Sequence, residues 1–168
     1  GGARSVAVSP DGIYVYAAGY SDNAVAVFSR NASTGELTYM GKEEDGSGSV
    51  DGLWGATSVA VSPDGTHVYV TGLFDNSVAV FRRWFTGSML NYIETHKDGE
   101  NSVDGLSQAM SVTVSPDGKH VYAAGYYDNA VAVFSRDAGT GQLTFVEMEK
   151  DGVGGVDGLA WTTSVRVS

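Results

Sequence analysis

A single eight-residue phrase returns through the chain at a fixed interval. "SVAVSPDG" begins at Ser5 and again at Ser58, "SVTVSPDG" begins at Ser111, and "SVRVS" at Ser164 closes the sequence. Each step is 53 residues, with no net insertion or deletion. The register holds inside the repeat as well: Asp22, Asp75 and Asp128 align, as do Phe28, Phe81 and Phe134, and Leu37, Leu90 and Leu143. Strict internal repetition at this period restricts a chain to stacked or ring-like arrays of one supersecondary unit.

Four short strands are legible in the unit. "SVAVS" is the first, closed by Ser-Pro-Asp-Gly, in which Pro presets φ and Gly accepts positive φ. "IYVYAAG" is the second, β-branched and aromatic with period-two alternation. "AVAVFSR" follows an Asp-Asn turn, and "LTYMGKE" follows the polar hairpin "NASTGE". No stretch sustains a helical period. Val25 and Val27 point to one side of the third strand and Ala24 and Ala26 to the other, with neither side polar. A sheet that is apolar on both faces must be packed between two others.

Four strands in a repeat of this size describe a blade of a β-propeller. The fold expected is all-β: three four-stranded antiparallel blades at approximately 4–56, 57–109 and 110–162, with an extra first strand at 163–168. Closed propellers have about four to eight blades. Three therefore leave an incomplete ring, unless chains associate or the segment belongs to a longer chain. A free three-blade wedge would expose its Val and aromatic rows, so self-association or further blades are the expected partners.

Residues 115–147, "SPDGKHVYAAGYYDNAVAVFSRDAGTGQLTFVE", resemble blades of the lactonase-like (YVTN-type) β-propeller family. The likeness extends over essentially the whole chain, three times over. It implies the propeller fold and, more weakly, lactone hydrolysis, because the matching residues are the blade's skeleton and recur in enzymes and non-enzymes.

Composition narrows the function classes. Ten Lys and Arg against twenty Asp and Glu give a net charge of −10, which opposes nucleic acid and anionic membrane surfaces. Apolar residues make up 42% of the chain, which fits a packed core, and no apolar run approaches a membrane span. The absence of cysteine excludes a disulfide framework and thiolate chemistry. The start "GGARSV" carries neither Met nor a signal peptide and reads as a processed or excised product. An extracellular or cell-envelope setting is expected.

The acidic residues concentrate in loops. "DGSGSVDGL" from Asp45, "DGENSVDGL" from Asp98 and "DGVGGVDGL" from Asp151 join one blade to the next. They place Asp45, Asp51, Asp98, Asp104, Asp151 and Asp157 on the face that also carries Asp22, Asp75 and Asp128. Calcium is one reading, since hard cations take six to eight oxygens. Turn chemistry is the stronger one, with each Asp capping local N–H groups and each Gly at positive φ. The intervening Val50, Val103 and Val156 suit burial and not coordination. Ligand-binding candidates on this face are Asp22, Asp75, Asp128, Trp54 and Trp161, with a glycan or a protein as ligand. Trp84 and Phe85 interrupt the third hairpin position, and Asn31-Ala32-Ser33 fits a glycosylation sequon.

No catalytic residue is evident. His67 and His120 occupy equivalent strand-start positions and read as partly exposed, and His96 has no copy and reads as solvated surface. Arg30, Arg83 and Arg136 recur on the far face. Near-identical blades suit multivalent binding better than one asymmetric active site. The reading is a non-catalytic scaffold or binding segment without a required cofactor. The alternative is part of a lactonase-like hydrolase whose catalytic residues lie elsewhere.

Overall fold

The computed structural model describes residues 2–84 and 90–168. Twelve strands form three separate four-stranded antiparallel sheets, and no helix is present among the described residues. The first sheet contains β1 (Ala3–Val8), β2 (Tyr14–Gly19), β3 (Ala24–Arg30) and β4 (Leu37–Glu44). The second contains β5 (Ala56–Val61), β6 (His67–Gly72), β7 (Ser77–Arg83) and β8 (Leu90–Lys97). The third contains β9 (Ala109–Val114), β10 (His120–Gly125), β11 (Ala130–Arg136) and β12 (Leu143–Lys150). In each sheet the strands lie in sequence order.

Local chemistry is repeated with the sequence. In every Ser-Pro-Asp-Gly turn the Gly N–H donates to the Ser carbonyl at 2.8 Å, with Gly12, Gly65 and Gly118 at φ +71 to +72°. Each outer hairpin carries a bulge at Val27/Phe28, Val80/Phe81 or Val133/Phe134, which increases the twist that stacked blades need. Beside it an aromatic pair crosses the strands: Phe28–Tyr39, Phe81–Tyr92 and Phe134–Phe145, with centroids 5.7 to 5.8 Å apart.

The core lies between sheets. One cluster joins Tyr16, Val25 and Val27 of the first blade to Val59, Val68, Val70 and Phe81 of the second. The other joins Tyr69, Val78 and Val80 to Val112, Val121, Ala132 and Phe134 of the third. The middle blade is accordingly buried through all of β6, whereas Val6 and Val8 of the first blade are exposed on its outward side.

Arg83 and Arg136, expected only at the end of a strand on the far face, are buried clasps between blades. Arg83 Nη2 donates to Asp11 at 2.8 Å and Arg136 Nη2 to Asp64 at 2.7 Å, each reaching the turn of the preceding blade. Nη1 of each also donates to the turn glycine of its own blade. Burial works to raise the Asp11 carboxyl, but hydrogen bonds from Arg83, Ser9 and the Ile13 N–H outweigh it and hold the group at about 2.

Candidate functional site

The loops joining second to third strands and the connectors between blades meet on one face. Their geometry is set by carboxylate and amide caps. Asp45, Asp98 and Asp151 each accept from the N–H eight residues on, at Leu53, Leu106 and Leu159, at 2.8 to 3.0 Å. Asn23, Asn76 and Asn129 accept from Gly55, Gln108 and Trp161 across the junction, at 2.7 to 2.9 Å. Asp75 and Asp128 accept from the backbone N–H groups of Trp54 and Ser107, both at 2.8 Å. Turn chemistry thus occupies at least one oxygen of each of these groups.

Two acidic clusters result, and each combines two blades. Carboxylate oxygens of Asp45, Asp51 and Asp75 lie within 4.8 Å of one another, as do those of Asp98, Asp104 and Asp128. Burial, and then the neighbouring carboxylates, raise Asp75 above the usual aspartate range, and Asp98 shifts the same way for the same reasons. The first cluster already contains a cation. Lys97 Nζ is 2.9 Å from Asp51 and 3.9 Å from Asp75. A divalent ion there would displace an ammonium and compete with the backbone caps. Asp22 belongs to the equivalent position in the first blade, where no preceding connector faces it. Asp151 and Asp157 share the last connector and have no following loop opposite them.

The two loop tryptophans are on this face and exposed, Trp54 at 52% and Trp161 at 61%. Trp54 packs on Phe74, and Trp161 packs on Tyr126. Trp84 is exposed, and Phe85 lies outside the described residues.

The inner strands line a cleft of about 510 Å3 along the propeller axis. Its walls carry Ser5, Ser58, Ser111 and Ser164, with Thr57 and Thr163 beside them. Ser5, Ser58 and Ser111 accept from the N–H groups of Val59, Val112 and Val165 at 3.2 Å, so hydroxyls bridge inner strands that diverge too far for a backbone ladder. Residues 163–168 follow this inner path but form no ladder of their own.

Two residues in the cleft do not recur from blade to blade, and the repeat pattern gives no sign of them. Arg4 and Arg166 both line it, at positions where the other repeats have Thr57, Met110 and Thr163, or Ala7, Ala60 and Thr113. Neither makes an ion pair among the described residues. Two guanidinium groups among hydroxyls form a cationic, hydrogen-bonding cleft in a chain of charge −10. Among the described residues its lining includes no Asp, Glu or His.

The histidines lie elsewhere: His120 is a partly exposed strand-start residue as expected, whereas His67 and His96 differ from expectation. His67 is only 1% exposed, because the third blade's outer hairpin closes over it: a Cβ on Gly141 would come within 2.1 Å of the ring. Its Nδ1 accepts from Arg136 at 3.0 Å. Burial, and then Arg136, push its pKa down, which keeps the ring neutral. His96 is half-buried, bonded to Glu94 at 3.0 Å and stacked near Phe134.

Comparison with known proteins sharpens this picture. Residues 47–153 match the model of the family described as lactonase, 7-bladed β-propeller. The chain belongs to that family. Among solved structures, the Pseudomonas aeruginosa periplasmic gluconolactonase PpgL superposes with a TM-score of 0.75 at 24% identity, over 90% of this chain and 40% of its own. A Lactobacillus plantarum protein gives 0.75 at 20% identity, over 98% and 44%. The Kuenenia stuttgartiensis hydrazine synthase gives 0.64 at 25% identity, over 90% and 36%. This lactonase-family chain therefore spans about two fifths of the length of its solved relatives, as a partial and open propeller. No curated protein matches it.

Proposed function

We propose that the chain is a three-blade sector of a larger lactonase-type ring, in which it acts as a binding wall and contributes no catalytic group. The half-made junctions at both of its edges carry this reading. Arg30 repeats Arg83 and Arg136, yet among the described residues it reaches only the Gly12 carbonyl, at 3.2 Å. At the other edge Asp117, the counterpart of Asp11 and Asp64, accepts from Ser115 and the Lys119 N–H within its own turn, and its ion pair is with Lys119 at 3.9 Å instead of an arginine of another blade. The family model has seven blades, and the 40% of PpgL that the chain covers is close to three sevenths.

The axial cleft is the ligand site in this reading. Arg4 and Arg166 offer guanidinium donors to an oxygen-rich or anionic small molecule, and the inner serines and threonines offer hydroxyls. Hydrolysis needs a general base within reach of an attacking water, and the cleft lining has no such group. Blades supplied by further chain or by other copies would complete the ring. The second reading, a lactone hydrolase, is favoured by the family and by the ability of a guanidinium to polarise a carbonyl oxygen. In that case the acid–base groups come from the completing blades.

Calorimetry with gluconate and assay on a gluconolactone separate the two. The binding reading expects the chain to take up the acid, to lose it on Arg166→Ala, and to leave lactone hydrolysis at the uncatalysed rate. A ring-complete assembly that also fails to hydrolyse lactones removes the second reading. Absence of any oxygen-rich ligand from a ring-complete assembly removes the first.

A further inference from the structure

The junction between the first two blades carries an aromatic ledge whose rings belong to neither the acidic clusters nor the axial cleft. Trp54 and Phe74 have ring centroids 5.3 Å apart and Phe74 and Tyr20 5.8 Å apart, with interplanar angles of 48° and 53°. Trp54 is 52% exposed and Phe74 45% exposed. Blades flank this junction on both sides, so the exposure does not come from an open edge.

The ledge is rigidly mounted. The Trp54 N–H donates to Asp75, the Phe74 N–H to the Trp54 carbonyl at 3.0 Å, and the Leu73 N–H to the Gly55 carbonyl at 3.1 Å. Gly55 in turn donates to Asn23. Little conformational freedom is therefore lost when a ligand settles on it. Behind the rings lies a cavity of about 240 Å3 lined by Arg4, Tyr20, Thr57, Leu73 and Met110. The Arg4 guanidinium stands 4.7 Å over the Tyr20 ring. Asp75, next to Phe74 in the chain, takes the Trp54 N–H and lies 3.9 Å from Lys97, which is also paired with Asp51.

We propose that Tyr20, Trp54 and Phe74 bind the ring face of a neutral sugar, making this junction a carbohydrate-recognition site. A pyranose presents an apolar C–H face and a rim of hydroxyls that both donate and accept. The ledge matches it with apolar rings at the centre, the Arg4 guanidinium at Tyr20 as donor and the Asp75 carboxylate beside Phe74 as acceptor. Other ligands fit less well. An acidic saccharide meets the carboxylates and a net charge of −10. A quaternary ammonium needs rings that face it across an open interior, but these rings touch one another and leave no interior. The site shares Arg4, Thr57 and Met110 with the cleft lining but does not use Arg166, so Arg166→Ala separates sugar binding here from uptake in the cleft.

The test is binding of neutral gluco-, galacto- and N-acetylglucosamine tetraoses to this chain, followed by tryptophan fluorescence and calorimetry. Trp54→Ser and Phe74→Ser are safe probes, because Ser107 and Ser21 already occupy the equivalent positions in other repeats. We expect at least one neutral tetraose to bind and to perturb fluorescence. Each of the two substitutions should weaken it about tenfold or more, equivalent to about 1.4 kcal/mol. Trp84→Ala should leave binding unchanged. No binding at millimolar sugar overturns the proposal. So does a preference for a uronate oligomer, choline or a peptide, and so does unaltered affinity in Trp54→Ser protein with wild-type melting.

Discussion

Arg136 reaches across a blade boundary with all of its donor groups engaged. Nε donates to the Tyr69 hydroxyl at 2.8 Å, Nη1 to the Gly118 carbonyl at 2.9 Å and Nη2 to Asp64 at 2.7 Å. Replacement by Met keeps the stem and removes the donors. We expect Arg136→Met to cost about 2 to 4 kcal/mol in urea unfolding, since charged hydrogen bonds and a buried partner are lost together. The same cluster sets an acid response. His67 is held neutral below its ordinary pKa, so its contribution is full above about 6.5 and is lost as pH falls below that value. Asp11 and Asp64 are depressed, so theirs is full above about 3.9 and disappears as pH falls toward 2. Asp75 and Asp98, which are raised, act in the opposite sense and add stability as pH falls toward about 3.9, ahead of the second step. The melting temperature should therefore fall in two stages on acidification, and His67→Asn should abolish the first stage only. The cap positions were legible in the sequence because Asp, Asn and Gly recur in one frame. The clasp was not, since its partners are 72 residues apart and one of them sits in a turn that already explains its Asp.

At the scale of the element, one sequence motif meets different surroundings in different copies. Gly35 and Gly141 close the same hairpin at φ +80° and +81°, but a Cβ on Gly35 would meet nothing within 4 Å, whereas one on Gly141 would strike His67. Gly35→Ala should cost about 1 kcal/mol, the strain of a left-handed alanine. Gly141→Ala should cost about 2 to 4 kcal/mol, because the packing conflict adds to that strain. Paired thermal melts of the two variants measure the difference. His67 itself reads as a strand-start residue in the sequence, and its burial comes from a hairpin more than seventy residues downstream. Arg4 and Arg166 were missed for another reason. Repetition exposes the recurring skeleton, and these two residues stand where the repeats disagree.

For the molecule as a whole, the connectors report which edges are closed. Val50 and Leu53 are buried at 7% and 0%, and Val103 and Leu106 at 3% and 0%, each pair beneath a following blade. Val156 and Leu159 belong to the same motif and remain only half-buried, with no blade beyond them. Leu53→Ala should cost about 2 to 5 kcal/mol, and Leu159→Ala no more than about 1 kcal/mol in the chain by itself. In a ring-complete assembly the two costs should converge, and equal costs in a chain shown by sedimentation to be monomeric would contradict the half-made junction. The blade architecture was readable at once from the 53-residue period and the two-sided apolar strands. The absence of closure was readable from the count of repeats, and the chemistry of the closing surfaces needed the coordinates.

The clasp from Arg83 to Asp11 and from Arg136 to Asp64 has a consequence for how such a protein changes over generations. Each boundary is written in the same few residues at the same offsets, so a blade carries one half of a joint on its leading side and the matching half on its trailing side. Duplication or deletion of a whole 53-residue unit leaves every remaining joint intelligible to its neighbour. A ring built this way can gain or lose a blade in a single recombination event without inventing a new interface.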